Sequence, residues 1–297
     1  MHMKGIILAA GKGTRLYPMT YPVCKPLLPV YDKPMIYYPL CALMQAGIRD
    51  ILIITPPGDD RDDFEQLLHD GSQFGIKISY EVQYVARGIA DALILGEKFL
   101  DGDNCCLALG DNIFYSPTFH LQLQEAVKSV EEQGKAAILG YYVDDPRPFG
   151  VVEFDKTGKV ISLEEKPRMP RSNYIVPGLY FYDSKCCEMA KTLSPSARGE
   201  LEITDLNRLY MNEGNLNVIL LDRNFTWLDA GTAENLLEAA QTVHEIQRGE
   251  RKYVGCPEQV ALYNDYITSE QCYALGEAMK KTGYGRYLLW LAKPEMF

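Results

Sequence analysis

Ile6-Ile-Leu-Ala-Ala-Gly-Lys-Gly-Thr-Arg-Leu16, running on to Lys25-Pro-Leu-Leu-Pro29, is the stretch that decides the fold. The apolar run Ile6 to Ala9 reads as a buried strand. It breaks into a loop in which Gly11 and Gly13 let main-chain N–H groups turn toward an anion. Arg15 and Lys25 bring positive charge to the same end of that strand. A strand, a glycine loop and nearby cations together suit phosphates. Taken alone, Gly-x-Gly reads first as a tight turn beside two solvated basic residues.

Neither familiar phosphate loop matches. The dinucleotide fingerprint needs a third glycine where Leu16 stands, which weakens a nicotinamide-dependent oxidoreductase. A P-loop needs Gly-Lys-Ser/Thr in succession, whereas Gly13 separates Lys12 from Thr14. Both also need a helix at once, and Pro18, Pro22, Pro26 and Pro29 oppose a long one. The expectation is an extended loop that wraps a ligand.

Working outward, Lys4–Ala9, Asp50–Ile54, Ile76–Val82, Cys105–Leu109 and Ala136–Val143 read as strands. Helical patterns lie between them at 35–46, 60–69, 89–100 and 121–133, several stopped by glycine. Such alternation predicts an α/β fold, a mostly parallel central sheet with helices on both faces. Beyond residue 150 a hairpin is expected from 151–154 and 160–164 around Asp155-Lys-Thr-Gly158. A strand at 175–182, helices at 184–193 and 203–212, a strand at 218–221 and a helix at 233–247 follow. From about Lys252 the chain reads as a helical, aromatic-rich appendix. The division expected is a catalytic domain over 1–250, with a sugar-binding part within about 145–230, and a helical segment over 251–297 packed on it.

Its 297 residues suffice for a sizeable core, and the apolar and charged fractions, 47% and 24%, are those of a globular protein. A net charge of −10 argues against general affinity for nucleic acid or acidic membranes, so the cations near Gly11 are a local device. No apolar stretch nears the ~18 residues of a membrane span. Met1-His-Met-Lys4 leads directly into a strand, leaving no room for a leader. Eight cysteines without a C-x-x-C, and four scattered histidines, do not suggest zinc. Buried, reduced thiols and a cytoplasmic location are expected.

Asp111 follows the run Cys105–Gly110, so its carboxylate emerges at the C-terminal end of a central strand, the edge where open α/β sheets bind ligands. Asp229 lies between an apolar pair and a glycine turn in Trp227-Leu-Asp-Ala-Gly-Thr232. Two carboxylates with bound phosphates are the usual requirement for Mg²⁺. Taken singly, each reads first as a turn or cap residue. Lys166 ends a strand before Pro167, and Arg198 precedes a helix; alone, either is a surface charge. Gln83 lies just past a strand with Gly88 close behind. A glutamine amide carries a donor and an acceptor, so it can pair with the imide edge of thymine or uracil.

These residues sit in a longer series: Gly13-Thr-Arg-Leu-Tyr-Pro18, Tyr31-Asp-Lys-Pro-Met-Ile-Tyr-Tyr-Pro-Leu40, Leu109-Gly-Asp-Asn-Ile-Phe-Tyr115, Gly150-Val-Val-Glu-Phe-Asp155, Glu164-Glu-Lys-Pro167, Gly178-Leu-Tyr-Phe-Tyr-Asp183 and Ser196-Ala-Arg-Gly-Glu-Leu-Glu-Ile-Thr-Asp205. With that series the chain resembles, almost end to end, the glucose-1-phosphate thymidylyltransferases. The resemblance implies a Rossmann-like nucleotidyltransferase fold, and dTTP and glucose 1-phosphate as substrates. It implies that Gly11, Gly13, Thr14 and Arg15 cradle the triphosphate, with Arg15 on the departing pyrophosphate and Lys25 beside the α-phosphorus. Gln83 and Gly88 would read the base, while Asp111 and Asp229 hold Mg²⁺. Asn112, Gly150, Glu165 and Val176 would bind substrate, the last three lining the hexose, with Lys166 and Arg198 on its 1-phosphate. Homotetramers with a second nucleotide-sugar site near a subunit interface are implied too. The chain departs from the family at Ala10, Pro26, Phe149 and Pro177, at Asp91, where glutamine is frequent, and in Gly255-Cys-Pro-Glu-Gln259.

The expected chemistry is in-line attack of the sugar phosphate on the α-phosphorus, without a general base because the nucleophile is already an anion. The rivals are the same chemistry with UTP or another sugar phosphate, and a non-catalytic nucleotide-sugar sensor.

Overall fold

The computed structural model describes residues 2–293. The chain opens with β1 (Met3–Leu8), the ribbon of β2 (Pro29–Val30) and β3 (Lys33–Pro34), then α1 (Tyr37–Gln45), β4 (Asp50–Thr55), α2 (Asp59–Leu68) and β5 (Lys77–Val82). After α3 (Asp91–Leu95) and α4 (Glu97–Leu100) come β6 (Asn104–Leu109), β7 (Asn112–Tyr115), α5 (Phe119–Glu131) and β8 (Ala136–Tyr142). The hairpin of β9 (Gly150–Phe154) and β10 (Val160–Glu165) is followed by β11 (Tyr174–Ile175), β12 (Leu179–Tyr182), α6 (Cys186–Lys191) and α7 (Ile203–Asn212). Then come β13 (Leu216–Leu220), β14 (Thr226–Asp229) and α8 (Ala233–Glu250). Three helices end the described chain: α9 (Pro257–Tyr263), α10 (Ser269–Ala278) and α11 (Gly283–Ala292).

The large sheet runs β10-β9-β11-β8-β12-β6-β1-β4-β5, with β13 alongside β8. From β5 through β6 every pairing is parallel, as the strand–helix alternation requires. From β12 to β10 the pairings are antiparallel, while β13 lies parallel to β8. The expected α/β fold is therefore formed, with an antiparallel extension.

Side-chain alternation explains why both faces are covered. In β1, Ile7 packs on one face with Ile51, Ile53, Cys106 and Ala108; Ile6 packs on the other with Leu52, Ile54, Cys105 and Leu107. The adjacent pair Cys105-Cys106 is thereby split across the sheet. All eight cysteines are free and buried, as expected. The first face is covered by α1, α5 and the C-terminal helices, through residues such as Leu40, Leu123, Val260 and Leu288. The second is covered by α3, α6 and α7, through Leu93, Cys186 and Leu206.

Three expectations need correction, and two strands are additions. The loop after β1 is coiled rather than extended: two single 3-10 turns, Thr14–Leu16 and Lys25–Leu27, fold it back. The single helix expected at 89–100 is two short ones meeting at Gly96. The strand expected at 175–182 is broken by Pro177 and Gly178, where Leu179 N–H turns back onto the Pro177 carbonyl (2.7 Å). The strands β7 and β14 were not anticipated. They are four residues each and pair only with one another. No helix among the described residues is long and apolar enough to cross a membrane.

Candidate active site

β1 and β6 lie side by side, Leu8 opposite Leu109, and the chain runs from β1 toward β4 on one side and from β6 toward β12 on the other. The crevice beyond their C-terminal ends is where such a sheet binds ligands. The loop of residues 9–28 leaves β1 there, and Asp111 leaves β6. Gly13 takes φ +60, and a Cβ on it would meet Thr20 at 3.0 Å and Lys25 at 3.1 Å. Glycine is thus required at 13, by conformation and by space. Gly11 has an ordinary φ and open space around it, so its backbone does not demand glycine. Among the described residues, the N–H groups of Gly11, Lys12 and Gly13 find no acceptor within the chain, as a loop that receives an anion should. Lys25, buried beneath the loop, donates from Nζ to Asp111 Oδ2 at 2.5 Å.

The small β7–β14 sheet brings the second acid. Asp229 stands opposite Asn112 in register, one residue from Asp111, and Ala230 N–H reaches the Asp111 carbonyl at 3.3 Å. Asp229 is therefore a strand end and not the turn residue that its flanking glycine suggested. Asn112 is a buried hinge of this corner: its Oδ1 accepts from Trp227 Nε1–H (2.7 Å) and Gly178 N–H (3.3 Å). Burial and the neighbouring Asp111 carboxylate push Asp229 above the usual carboxylate range, opposed by Lys25, Arg15 and Lys166. Arg15 Nη2 and Asp229 Oδ2 both crowd the site of a Cβ on Gly231, at 3.1 and 2.8 Å. Two like-charged carboxylates ringed by three cations suit a hard divalent cation whose other ligands are phosphate oxygens and water. Among the described residues no group of three or more His, Cys, Asp or Glu could hold a metal alone.

A cleft of about 550 Å³ opens from this corner. Arg15, Asp111, Asn112, Gly150, Glu165, Lys166, Val176 and Asp229 all line it, so most of the residues singled out from the sequence meet there. Lys166 carries a left-handed backbone (φ +44) that its N–H bond to the Phe149 carbonyl (3.0 Å) and Pro167 hold in place. Val176 N–H bonds the Gly150 carbonyl at 2.8 Å, closing one wall. Glu165 Oε2 accepts from Thr204 Oγ1 at 2.6 Å. A Cβ on Gly150 would come within 2.9 Å of that hydroxyl, so the wall has no room for a side chain at 150. Thr204 and Trp227, which reading the sequence did not single out, also line the cleft. Their signal lay in the quoted segments, one residue before Asp205 and two before Asp229.

Gly11, Gly13, Thr14, Lys25, Gln83, Gly88 and Arg198 stand outside that lining. Arg198 is at the rim, 41% exposed, between Glu202 (2.7 Å), Glu200 (3.2 Å) and Glu165 (3.5 Å). Gln83 extends β5: its N–H bonds the Thr55 carbonyl (2.9 Å), and its buried amide donates from Nε2 to Asp91 Oδ2 (2.9 Å). Gly88 has φ +102, and a Cβ there would sit 2.5 Å from the Leu201 carbonyl oxygen. The next residue, Ile89, lines the cleft, so the Gln83–Gly88 segment borders it.

Residues 4–246 match the Nucleotidyl transferase family. The chain is 53% identical over 291 residues to a glucose-1-phosphate thymidylyltransferase of Neisseria meningitidis, covering 98% of this chain and all of that one. It is 50% identical over 289 residues to the protein of that name from Mycobacterium tuberculosis, covering 97% and 99%. Among solved structures, a Bacillus anthracis protein of the same designation, crystallised with sucrose, superposes with a TM-score of 0.74 at 44% identity, over 81% of this chain and 95% of that one. A UDP-glucose pyrophosphorylase bound to UDP-glucose superposes at 0.72 with 23% identity, over 83% and 100%, which is a likeness of fold.

Proposed function

The chain belongs to the nucleotidyl transferase family, and within it to the glucose-1-phosphate thymidylyltransferases; from that premise we propose how its cleft makes dTDP-glucose from dTTP and glucose 1-phosphate. The observation that carries the reading is the meeting of Asp111 and Asp229 with Lys25, Arg15 and Lys166 at one end of the cleft. The sugar phosphate oxygen attacks the α-phosphorus in line; the new P–O bond replaces the bond to pyrophosphate, which leaves. The attacking phosphate is already an anion, so no side chain has to remove a proton, and positioning with charge neutralisation does the work.

The loop N–H groups of Gly11 and Gly13, with Thr14, receive the β- and γ-phosphates, and Arg15 takes up charge on the departing pyrophosphate. Lys25 leaves its bond with Asp111 to meet an α-phosphate oxygen. Asp111 and Asp229 would hold Mg²⁺, which when bound would neutralise triphosphate charge. Gly150, Glu165 and Val176 face the hexose, with Glu165 oriented by Thr204. Lys166 and Arg198 bind the 1-phosphate, Arg198 exchanging carboxylate partners for phosphate. Gln83 and Gly88 read the base, and Asn112 keeps the two aspartates in register. The same proposal includes residues 1–250 as the catalytic unit, homotetrameric assembly, and residence in the cytoplasm.

Pyrophosphate release from each nucleoside triphosphate, with and without glucose 1-phosphate, tests it. Release from dTTP that depends on both the sugar phosphate and Mg²⁺ is expected. Release that favours another nucleotide, or is indifferent to the sugar phosphate, would overturn it.

A further inference from the structure

Asp91 has a job that the reaction scheme leaves unassigned. It is fully buried. One carboxylate oxygen, Oδ2, accepts the hydrogen bond from Gln83 Nε2 at 2.9 Å. The other, Oδ1, lies 2.9 Å from Nη2 of Arg87, an ion pair without the alignment of a hydrogen bond. The segment that carries both charges is pinned by main-chain bonds to Leu201: Leu201 N–H to the Arg87 carbonyl (2.7 Å) and Ala90 N–H to the Leu201 carbonyl (3.2 Å). The bulk of Leu201 against Gly88 holds the turn between them.

A carboxylate accepts and cannot donate, whereas a glutamine amide does both. Turning the Gln83 amide by half a turn would set its Oε1 against Asp91 Oδ2, two buried acceptors 2.9 Å apart. Only one orientation is therefore allowed. Oε1 and the second N–H of Nε2 are left for a ligand, in a fixed order.

We propose that Asp91 is a positioning residue for base selection: it locks the Gln83 amide so that the chain accepts the imide edge of thymine or uracil and rejects cytosine. This rests on the reading of Gln83 as the base-reading residue. With the amide locked, Oε1 accepts from the pyrimidine N3–H while the free N–H donates to a ring carbonyl. Cytosine offers an N3 acceptor and an amino donor, the reverse of what the lock presents. Without the lock, the amide turns and cytosine fits.

Specificity constants for dTTP, UTP and CTP with glucose 1-phosphate test this in the wild type, Asp91→Asn, Gln83→Ala and the double variant. In Asp91→Asn the new amide can turn together with Gln83, so the preference for dTTP over CTP should shrink at least about tenfold. The KM for glucose 1-phosphate should stay within about twofold of wild type. A merely structural defect would lower all three nucleotides together and leave the ratio alone. Adding Asp91→Asn to Gln83→Ala should move the ratio no further. If Asp91→Asn does not fold, Asp91→Gln, which likewise sets an amide that can turn against Gln83, should shift the ratio the same way.

Near-wild-type dTTP turnover with an unchanged dTTP/CTP ratio, in Asp91→Asn or in Asp91→Gln, overturns the proposal while leaving the function standing. A further shift in the double variant also overturns it, because Asp91 would then act elsewhere than on Gln83. A wild type without dTTP-dependent turnover overturns the function itself, and the lock with it.

Discussion

Lys25 and Lys33 lie eight residues apart, each is followed by proline, and each is buried, yet the fold uses them in opposite ways. Lys25 bonds Asp111 beside an open cleft, with Asp229 close by. Lys33 is enclosed. It bonds Asp32, donates to Gln247 Oε1 (3.0 Å), and lies 5.2 to 5.9 Å from the ring centres of Tyr38, Tyr253 and Tyr284. Gln247 closes the ring by donating to Asp32 (3.0 Å) and accepting from Val254 N–H (3.1 Å). Lys33 thus ties the β2–β3 ribbon to α8 and to the segment leading into α9. A buried cation held by several bonds and ring contacts within the chain stabilises structure; one bonded to a single carboxylate beside a cleft can change partners when an anion arrives.

The largest effects should fall on the cleft side. Asp111→Asn keeps shape but loses the charge that pairs with Lys25 and with a metal, and turnover should fall at least ~100-fold with little change in melting temperature. Asp229→Asn should behave alike. Near-normal rates in either variant at saturating Mg²⁺ would break the two-aspartate site and, with it, the contrast between the two lysines.

Lys166→Ala comes next. Its side chain is 45% exposed at the cleft wall, with Glu165 at 3.7 Å. A charge-assisted contact to the sugar phosphate is worth roughly 1.5–3 kcal/mol, or about 10- to 150-fold in the KM for glucose 1-phosphate, with dTTP barely affected. Equal loss for dTTP, with the sugar phosphate unchanged, would reassign the residue.

Lys33→Met should cost about 2 kcal/mol of stability through the lost ring contacts and the bond to Gln247, since Asp32 is exposed enough to rehydrate. Turnover per folded molecule should stay near normal, read from active-site titration beside denaturant unfolding. A large loss of turnover in a fully folded Lys33→Met would dissolve the distinction drawn between the two lysines.

The enclosure of Lys33 was not legible in the sequence, which assigned Lys25 to the phosphate loop and gave Lys33 no role. The central parallel sheet was legible, because runs such as Ile6–Ala9 and Asp50–Ile54 are apolar on both faces and flanked by helical periodicity. Asp111 was legible for the same reason, as the first acid past such a run. Asp229 could be named but not placed: four-residue strands with a tryptophan and an aspartate carry no periodic signal, and β14 exists only because β7 pairs with it. The Gln83 lock was invisible, since it joins residues eight apart through a turn that Leu201, over a hundred residues away, holds in shape.

The smallest expected effect probes the enclosed side by pH. Glu258, on α9, is buried, with Oε2 accepting from Tyr284 O–H at 2.5 Å and from Cys256 Sγ–H at 3.5 Å. Burial pushes its carboxyl above the usual range; those hydrogen bonds and Lys33 oppose the shift without cancelling it. The folded chain then holds the proton on Glu258 more tightly than the unfolded chain does. Wild-type stability therefore falls as pH rises from the ordinary glutamate pKa to the raised one, and this contribution is constant above it. Glu258→Gln has no such proton, so its stability relative to wild type should climb across that window and then level off. The slope is the test, because the bonding of the new amide shifts stability by an amount that does not vary with pH. Denaturant unfolding of both chains at closely spaced pH values supplies the comparison. A wild type that instead gains on Glu258→Gln as pH rises through that window would mean that Lys33 and the tyrosines stabilise the ionised carboxylate, making α9 part of the same closed ion cluster as Lys33.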